Sequence, residues 1–208
     1  MIALSLLDSG VSVVFTDRLD DRSQVTEVVS EKPVVAVKQV HGAKVIAVDE
    51  CAGAPTPVEA DGIYLPAGSS KVASIATADC LPLVVANRSG DAVALHVGWR
   101  GLTAGVVDAG LARLGGDGLV AVIGPHIRSC CYQFLGPERY VVARRFGTES
   151  FVGDNLSLES ALSSLLARQR VGDVVSVGQC TYCNDAYYSY RRDGTTGRQL
   201  TLVGAGRS

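Results

Sequence analysis

Long apolar runs are missing from this 208-residue sequence, and no stretch reaches the ~18 residues that a membrane-spanning helix needs. The first ten residues also lack the basic start and small-residue cleavage site of a signal peptide. Basic runs are missing too: Lys plus Arg total 19 against 21 Asp plus Glu, for a formal net charge of −2. A protein that follows a nucleic acid backbone needs a basic stripe. We therefore expect a cytoplasmic protein that binds neither membranes nor nucleic acid.

Internal repeats and low-complexity tracts are also missing. With 47% hydrophobic residues, the chain has ample material for one well-packed core, so we expect a single domain over residues 1–208. The six cysteines are expected to be thiols rather than a disulfide framework, as is usual in cytoplasmic proteins of this size.

The stretch from Thr77 to Gly101 is predicted to be a β-hairpin with reactive residues at both ends. An apolar run at 83–86 and a β-type run at 92–97 flank a linker rich in turn-forming residues. Antiparallel pairing would bring Cys80, before the first strand, close to His96 on the second. A thiol and an imidazole can bind zinc or copper, or can act as a nucleophile with its base. The residues leave both readings open.

The rest of the sequence predicts a mixture of strands and helices. Residues 16–31 and 51–59 are expected to be mainly loop. His41 is expected at the end of a strand, with Gly42 available for the turn. The predicted strands cover 2–6, 11–15, 34–40, 44–48, 60–65, 72–77, 119–123, 174–177 and 199–203, and the predicted helices cover 102–114, 137–146 and 158–169.

The residues after the hairpin suggest an anion site. Trp99 and Arg100 lie between glycines, and a helix predicted to start just after Gly101 would direct its first N–H groups toward Cys80 and His96. Arg100 is the candidate anion-binding side chain, with a structural salt bridge to Asp61 or Asp79 as the alternative. Trp99 is suited either to stacking on a planar ligand or to filling the core.

Six ordered sequence blocks between residues 38 and 198 carry a specific resemblance. They are Lys-Gln-Val-His-Gly at 38–42, Ala-Asp-Gly at 60–62, Thr-Ala-Asp-Cys-Leu-Pro at 77–82, His-Val-Gly-Trp-Arg-Gly at 96–101, Ile-Gly-Pro at 123–125, and Ser-Tyr-Arg-Arg-Asp-Gly at 189–194 with Thr-Gly-Arg at 196–198. In this order they resemble the YfiH/YlmD family, also called the laccase-domain-containing or polyphenol oxidoreductase family. The chain departs from the family pattern in a contracted amino-terminal segment, here about residues 19–32.

The resemblance implies an α/β (α+β) sandwich of mixed β-sheets with flanking helices, related to cysteine-hydrolase-like folds. It implies a metal, usually zinc, bound by His41, Cys80 and His96, which leaves an open ligand position as in catalytic zinc sites. It also implies an enzyme that phosphorolyses adenosine, inosine or methylthioadenosine and deaminates adenosine, with nucleosides and phosphate as its partners. Arg100 and the following helix would bind phosphate, and a metal-activated water would serve deamination.

Two other activities remain as alternatives. Copper-dependent oxidation of phenols is the family's older description, but one His/Cys/His site offers few ligands for several coppers. A metal-free Cys80/His96 amidase acting on cell-wall precursors is the other.

The remaining histidine and most of the cysteines are expected to lie outside the metal site. His126 falls outside the three metal blocks. Cys180 and Cys183 form a C-x-x-C without a second such pair, and Cys130 and Cys131 are adjacent rather than spaced for chelation. We therefore expect these four cysteines to be bystander thiols.

Overall fold

Two β-sheets organise the chain in a computed structural model that describes residues 1–6, 9–20, 32–51, 56–115 and 117–205. The first sheet has the strand order β1-β2-β13-β6-β3, and the second has the order β12-β9-β7-β8-β5-β4. A two-stranded ribbon, β10-β11, lies apart from both sheets. The strands are β1 Ile2–Leu6, β2 Val11–Phe15, β3 Val34–Ala36, β4 Val45–Ala47, β5 Gly62–Leu65, β6 Val72–Thr77, β7 Leu81–Ala86, β8 Ala92–Val97, β9 Val120–Ile123, β10 Phe151–Val152, β11 Asn155–Leu156, β12 Asp173–Ser176 and β13 Gln199–Ala205.

The hairpin β7–β8 lies at the centre of the six-stranded sheet and is buried on both faces. Alternate side chains of a strand point to opposite faces of its sheet. Leu83 and Val85 accordingly face the core beneath the helices, while Val84 faces the core that the two sheets share. The continuous apolar runs of both strands follow from this burial, and the expected antiparallel hairpin is confirmed by the register that pairs Pro82 with His96.

Helical segments between residues 99 and 168 cover the outer face of the six-stranded sheet, where Leu102, Val106 and Leu162 join its core, whereas Val48 belongs to the core that the two sheets share. The helix over Leu158–Arg168, α5, is capped by Ser157, whose side chain accepts a hydrogen bond from the Ser160 N–H. The helices are α1 Val48–Cys51, α2 Trp99–Ala104, α3 Val106–Leu111, α4 Glu138–Phe146, α5 Leu158–Arg168 and α6 Tyr190–Asp193, with a 3-10 turn at Thr148–Ser150. The expected mixed sheets with flanking helices are thereby confirmed.

The prediction of one helix over residues 102–114 is wrong in two respects. The helical segment begins at Trp99, so Arg100 lies within its first turn. It also divides into α2 and α3 at Gly105, whose φ of 97° is a left-handed conformation that ends one helix and precedes the next. Apolar spacing alone could not locate this break, because the pattern of buried side chains continues through it.

The other predicted elements are present, with shifted ends. Strand β3 ends at Ala36, four residues earlier than expected, and β4 ends at Ala47, after which Val48 begins α1. The loop predicted over 16–31 falls largely outside the described residues, as does part of the predicted 51–59 loop. Within the described residues, no helix has the length and apolarity to cross a membrane.

Candidate functional site

The buried carboxylate of Asp61 holds the turn that carries His41. Its two oxygens accept the backbone N–H groups of Val40, His41 and Gly42, at 3.2, 2.8 and 2.7 Å. His41 itself adopts the left-handed φ of 60°, so the turn expected at Gly42 is made one residue earlier. Such a conformation costs free energy for a non-glycine residue, and the three charge-assisted hydrogen bonds offset that cost.

The same carboxylate orients His96. Asp61 Oδ1 lies 2.8 Å from His96 Nδ1, and both side chains are almost fully buried. A carboxylate that accepts the Nδ1 proton directs the other ring nitrogen, Nε2, away from itself and fixes the tautomer. From the sequence, Asp61 was considered only as a salt-bridge partner of Arg100, and its contact with His96 was missed.

His41, Cys80 and His96 converge as predicted. One potential ligand atom from each lies within 4.8 Å of the others. Cys80 Sγ is 3.8 Å from His41 Nε2, and the two imidazole rings meet edge to face with centroids 4.7 Å apart. Two imidazoles and one thiolate suit zinc or copper, and the Asp61 contact is the kind of outer partner that metal-binding histidines usually have. The three residues therefore fit a metal ion, and their role as its ligands remains a prediction.

Close packing of the backbone brings these residues together. A Cβ at Gly98 would lie 3.0 Å from Cys80 Sγ and 3.1 Å from His41 Cδ2, which is tighter than ordinary van der Waals contact. Only a glycine lets the end of β8 approach both side chains this closely.

The protonation of Cys80 and His96 is strongly coupled. Burial raises the pKa of Cys80, but hydrogen bonds from His41 and His96 outweigh it and lower the pKa to about 7. Burial lowers the pKa of His96, but Asp61 and the Cys80 thiolate raise it to about 9. Without a metal, the two groups therefore form a thiolate–imidazolium pair near neutral pH. With a metal, the ion would replace the proton on His96.

These residues open into a cleft of about 630 Å³, within the usual size range of small-molecule pockets. Arg100, Arg191 and Arg198 line it together with Trp99 and Tyr132. The cleft thus combines metal-binding side chains, three cations and aromatic rings.

The contacts of Arg100 and Trp99 bear on the alternatives that the sequence left open for them. The Arg100 guanidinium is exposed and lies 4.7 Å from the centroid of the Trp99 ring. Trp99 meets Phe134 edge to face at 5.5 Å, so it packs on the core while lining the cleft. Asp61 binds the His41 turn and His96, whereas Asp79 accepts hydrogen bonds from Thr181 Oγ1 and the Arg191 N–H. Neither carboxylate serves as the salt-bridge partner considered for Arg100.

Arg191 and Arg198 also line the cleft, and their side chains have different partners from that of Arg192. Arg191 donates to the Gln133 carbonyl and lies 4.9 Å from the centre of the Tyr132 ring, and Arg198 donates to the carbonyls of Thr195 and Gly197. Arg192 instead pairs with Asp193 and Asp185. Among the described residues, neither guanidinium forms a salt bridge with a carboxylate, so Arg191 and Arg198 are suited to bind an anion.

His126 lies apart from the metal-binding trio. It is buried, and its Nδ1 lies 2.9 Å from the Gly124 carbonyl oxygen. Four of the five cysteines outside the cleft lie close together. Cys130, Cys131, Cys180 and Cys183 bring their sulfur atoms within 4.8 Å of one another, a clustering that their spacing in the sequence did not predict.

The fold and this cleft define a mixed two-sheet protein with a His/Cys/His centre. Residues 17–206 match the family model described as "Multi-copper polyphenol oxidoreductase laccase". The chain belongs to this family.

Curated relatives and solved structures agree with this assignment. A Pseudomonas aeruginosa protein named purine nucleoside phosphorylase is 37% identical over 88% of this chain and 78% of its own length. Purine nucleoside phosphorylase YfiH of Escherichia coli is 33% identical, with coverage of 83% and 73%. A Neisseria meningitidis structure superposes with a TM-score of 0.78, 26% identity and 94% coverage of both chains. YlmD from Geobacillus stearothermophilus has a TM-score of 0.77 at 22% identity, covering 96% of this chain and 92% of its own. The predicted YfiH/YlmD resemblance is thus confirmed.

Proposed function

We propose that this chain is a zinc-dependent purine nucleoside phosphorylase acting on adenosine, inosine or methylthioadenosine, and that the same cleft deaminates adenosine. The observation that carries the proposal is the convergence of His41, Cys80 and His96 with three arginines in one cleft. The names of the curated relatives support the phosphorylase reaction.

Phosphorolysis requires a phosphate dianion beside the ribose C1′ carbon. Arg100, Arg191 and Arg198 supply fixed positive charge to the cleft, and each guanidinium can bind two phosphate oxygens. The rings of Trp99 and Tyr132 offer apolar surface suited to a planar purine. The residues of this chain would thus bind and orient both reactants.

His41, Cys80 and His96 are the residues that would hold the zinc ion. A bound zinc ion would supply a Lewis acid that lowers the pKa of water, the chemistry that hydrolytic deamination of adenosine needs. Asp61 keeps His96 in the tautomer that a metal requires.

Product analysis tests the proposal directly. The purified protein would be mixed with adenosine, inosine or methylthioadenosine, with and without phosphate, and the products separated. Free base plus ribose 1-phosphate, or its methylthio analogue, that forms only with phosphate supports phosphorolysis, and inosine formed from adenosine supports deamination. No reaction with any of these nucleosides in the zinc-loaded protein would contradict the proposal.

Arg100→Ala separates the two reactions. If Arg100 makes two charge-assisted hydrogen bonds to phosphate, each of ~1.5–3 kcal/mol, its loss should lower phosphorolysis by roughly two orders of magnitude or more. Deamination should fall much less, because its nucleophile is a neutral water, and Arg100→Lys should recover only part of the phosphorolysis. Arg144→Ala, at an exposed position on α4, is the matched control and should resemble the wild type. Equal losses in both reactions would move the phosphate site to Arg191 or Arg198.

A Cys/His hydrolase remains a second candidate because of one specific contact. The buried Asp61–His96 pair, next to a Cys80 thiol with a pKa of about 7, resembles a nucleophile, base and orienting acid. This reading predicts protein that is metal-free as isolated, gains no activity with zinc and is readily alkylated at Cys80. Copper oxidase activity is less well supported, because the chain has three histidines and His126 lies outside the trio.

A further inference from the structure

Four cysteines outside the cleft form a compact cluster, here called the thiol cluster: Cys130, Cys131, Cys180 and Cys183. Cys130 Sγ lies 3.5 Å from both Cys180 Sγ and Cys183 Sγ, and Cys131 Sγ lies 3.1 Å from Cys183 Sγ. These thiols come from two segments about 50 residues apart in the sequence, and the fold alone brings them together.

The size of the thiol cluster matches a metal centre. In a tetrahedral site with zinc–sulfur distances of about 2.3 Å, neighbouring sulfur atoms are about 3.8 Å apart. Three of the sulfur–sulfur separations here are 3.5, 3.5 and 3.1 Å, somewhat shorter than that value, and all four sulfur atoms lie within 4.8 Å of one another. Four thiolates closing the shell are typical of structural zinc sites, whereas catalytic sites keep an open position. Although Cys130 and Cys131 are adjacent in the sequence, both of their sulfur atoms lie within 3.5 Å of Cys183 Sγ, so both can bind the same ion.

The backbone around Cys180 is arranged in advance for such a centre. A parallel bridge joins His126 to Cys180, with the His126 N–H donating to Gln179 and the Thr181 N–H donating to His126. The Arg128 N–H donates to Cys180 Sγ at 3.4 Å. Backbone N–H groups directed at sulfur stabilise the negative charge of a thiolate.

We propose that Cys130, Cys131, Cys180 and Cys183 bind a structural zinc ion as four thiolates. Binding releases the four thiol protons and leaves a closed centre that has no position for substrate. This ion would be distinct from the one predicted at His41, Cys80 and His96. The proposal does not rest on the proposed function.

The position of the thiol cluster indicates what the ion would stabilise. Cys131 precedes Tyr132, which lines the cleft, and Cys180 precedes Thr181, whose hydroxyl donates to Asp79 beside Cys80. A metal that joins these two segments would hold one wall of the cleft in place. Tm and metal content would therefore fall together when a thiol of the cluster is removed.

The experiment measures metal per chain in protein purified under reducing conditions, with the Cys80→Ala variant as the starting point, so that the predicted cleft metal is absent. We expect Cys80→Ala to retain one zinc and Cys80→Ala/Cys183→Ser to retain none. The matched control, Cys80→Ala/Cys51→Ser, should keep the zinc, because Cys51 lies outside both groups and its Sγ donates to the Ala47 carbonyl. Retention of the zinc after loss of Cys183 would overturn the proposal.

A second measurement does not depend on the folding of a variant. Co²⁺ added to metal-free wild-type protein should produce the intense sulfur-to-cobalt charge-transfer absorption of a tetrathiolate site. Its intensity should be much greater than that of a cobalt ion bound by the single thiolate of Cys80. Thiol counting on the denatured, non-reduced wild type should find all six cysteines free. Disulfides between the two segments, or the absence of the tetrathiolate absorption, would refute the metal site.

Discussion

Asp61→Asn is the most informative substitution in the cleft, because one carboxylate supports both histidines of the predicted metal site. An asparagine retains one acceptor oxygen and replaces the other with an NH₂ donor. If the remaining oxygen stays on His96 and His41, the NH₂ group faces the N–H groups of Val40 and Gly42, and two hydrogen bonds are lost.

The magnitude follows from those two hydrogen bonds. Buried hydrogen bonds to a charged group contribute about 1.5–3 kcal/mol each, so the metal-free variant should lose about 3–6 kcal/mol of unfolding free energy. For a chain of this length, that corresponds to a fall in Tm of roughly 6–24 °C. Because Asp61 also orients His96, zinc affinity should fall by about 10–100-fold.

The pH dependence of stability provides a further check. Burial raises the pKa of Asp61, but hydrogen bonds from His96 and from the Gly42 and His41 N–H groups outweigh it and hold the pKa below its ordinary value of 3.8. The stabilisation is therefore fully present above pH 3.8 and is lost as the pH falls through the lower folded-state pKa. Asp61→Asn should lack this contribution.

The assay combines thermal unfolding of the metal-free protein with a zinc competition titration. Glu59→Gln is the matched control, since it removes the same charge two residues away at an exposed position paired with Lys38, and its Tm and zinc affinity should stay close to wild type. If Asp61→Asn kept wild-type Tm and zinc affinity, the carboxylate would neither stabilise the His41 turn nor orient His96.

Three further predictions concern single positions. In metal-free protein, alkylation of Cys80 should reach half its maximal rate near pH 7, because the reactive thiolate is lost below that pH, and bound zinc should suppress the reaction. A midpoint near pH 9 would contradict the lowering of the Cys80 pKa by His41 and His96. His126→Ala should lower Tm, because it leaves a cavity at a buried position, but it should keep the metal and most of the activity. Loss of the cleft metal in this variant would show that His41, Cys80 and His96 are not the complete ligand set. Gly62→Ala would place a Cβ 2.5 Å from Leu95 Cδ2, and the free energy of unfolding measured with a chemical denaturant should fall by roughly 1–3 kcal/mol. An unchanged denaturation midpoint would mean that strand β5 can shift to make room for the methyl group.

The central hairpin and its pair of reactive residues were predictable because they depend on local chemistry. Turn-forming residues between two apolar runs specify antiparallel pairing, and that pairing brings Cys80 beside His96. The amphipathic spacing of α5 was equally clear in the sequence. His41 could be added to the site only through the resemblance of its sequence block, because it belongs to a different part of the chain.

Long-range packing decided the rest. The contact of Asp61 with His96 spans 35 residues, and the contact of Cys130 with Cys180 spans 50. No local pattern shows which distant side chains meet, so Asp61 was considered only as one possible salt-bridge partner of Arg100, and the four cysteines were expected to be bystanders. Of the arginines near the carboxyl terminus, only the tertiary structure separates Arg192, which is paired with Asp193, from Arg191 and Arg198, which line the cleft. The sequence by itself determined the local elements and the chemical types available, whereas the tertiary structure decided which of those groups act together, because contacts between distant segments depend on how the whole core packs.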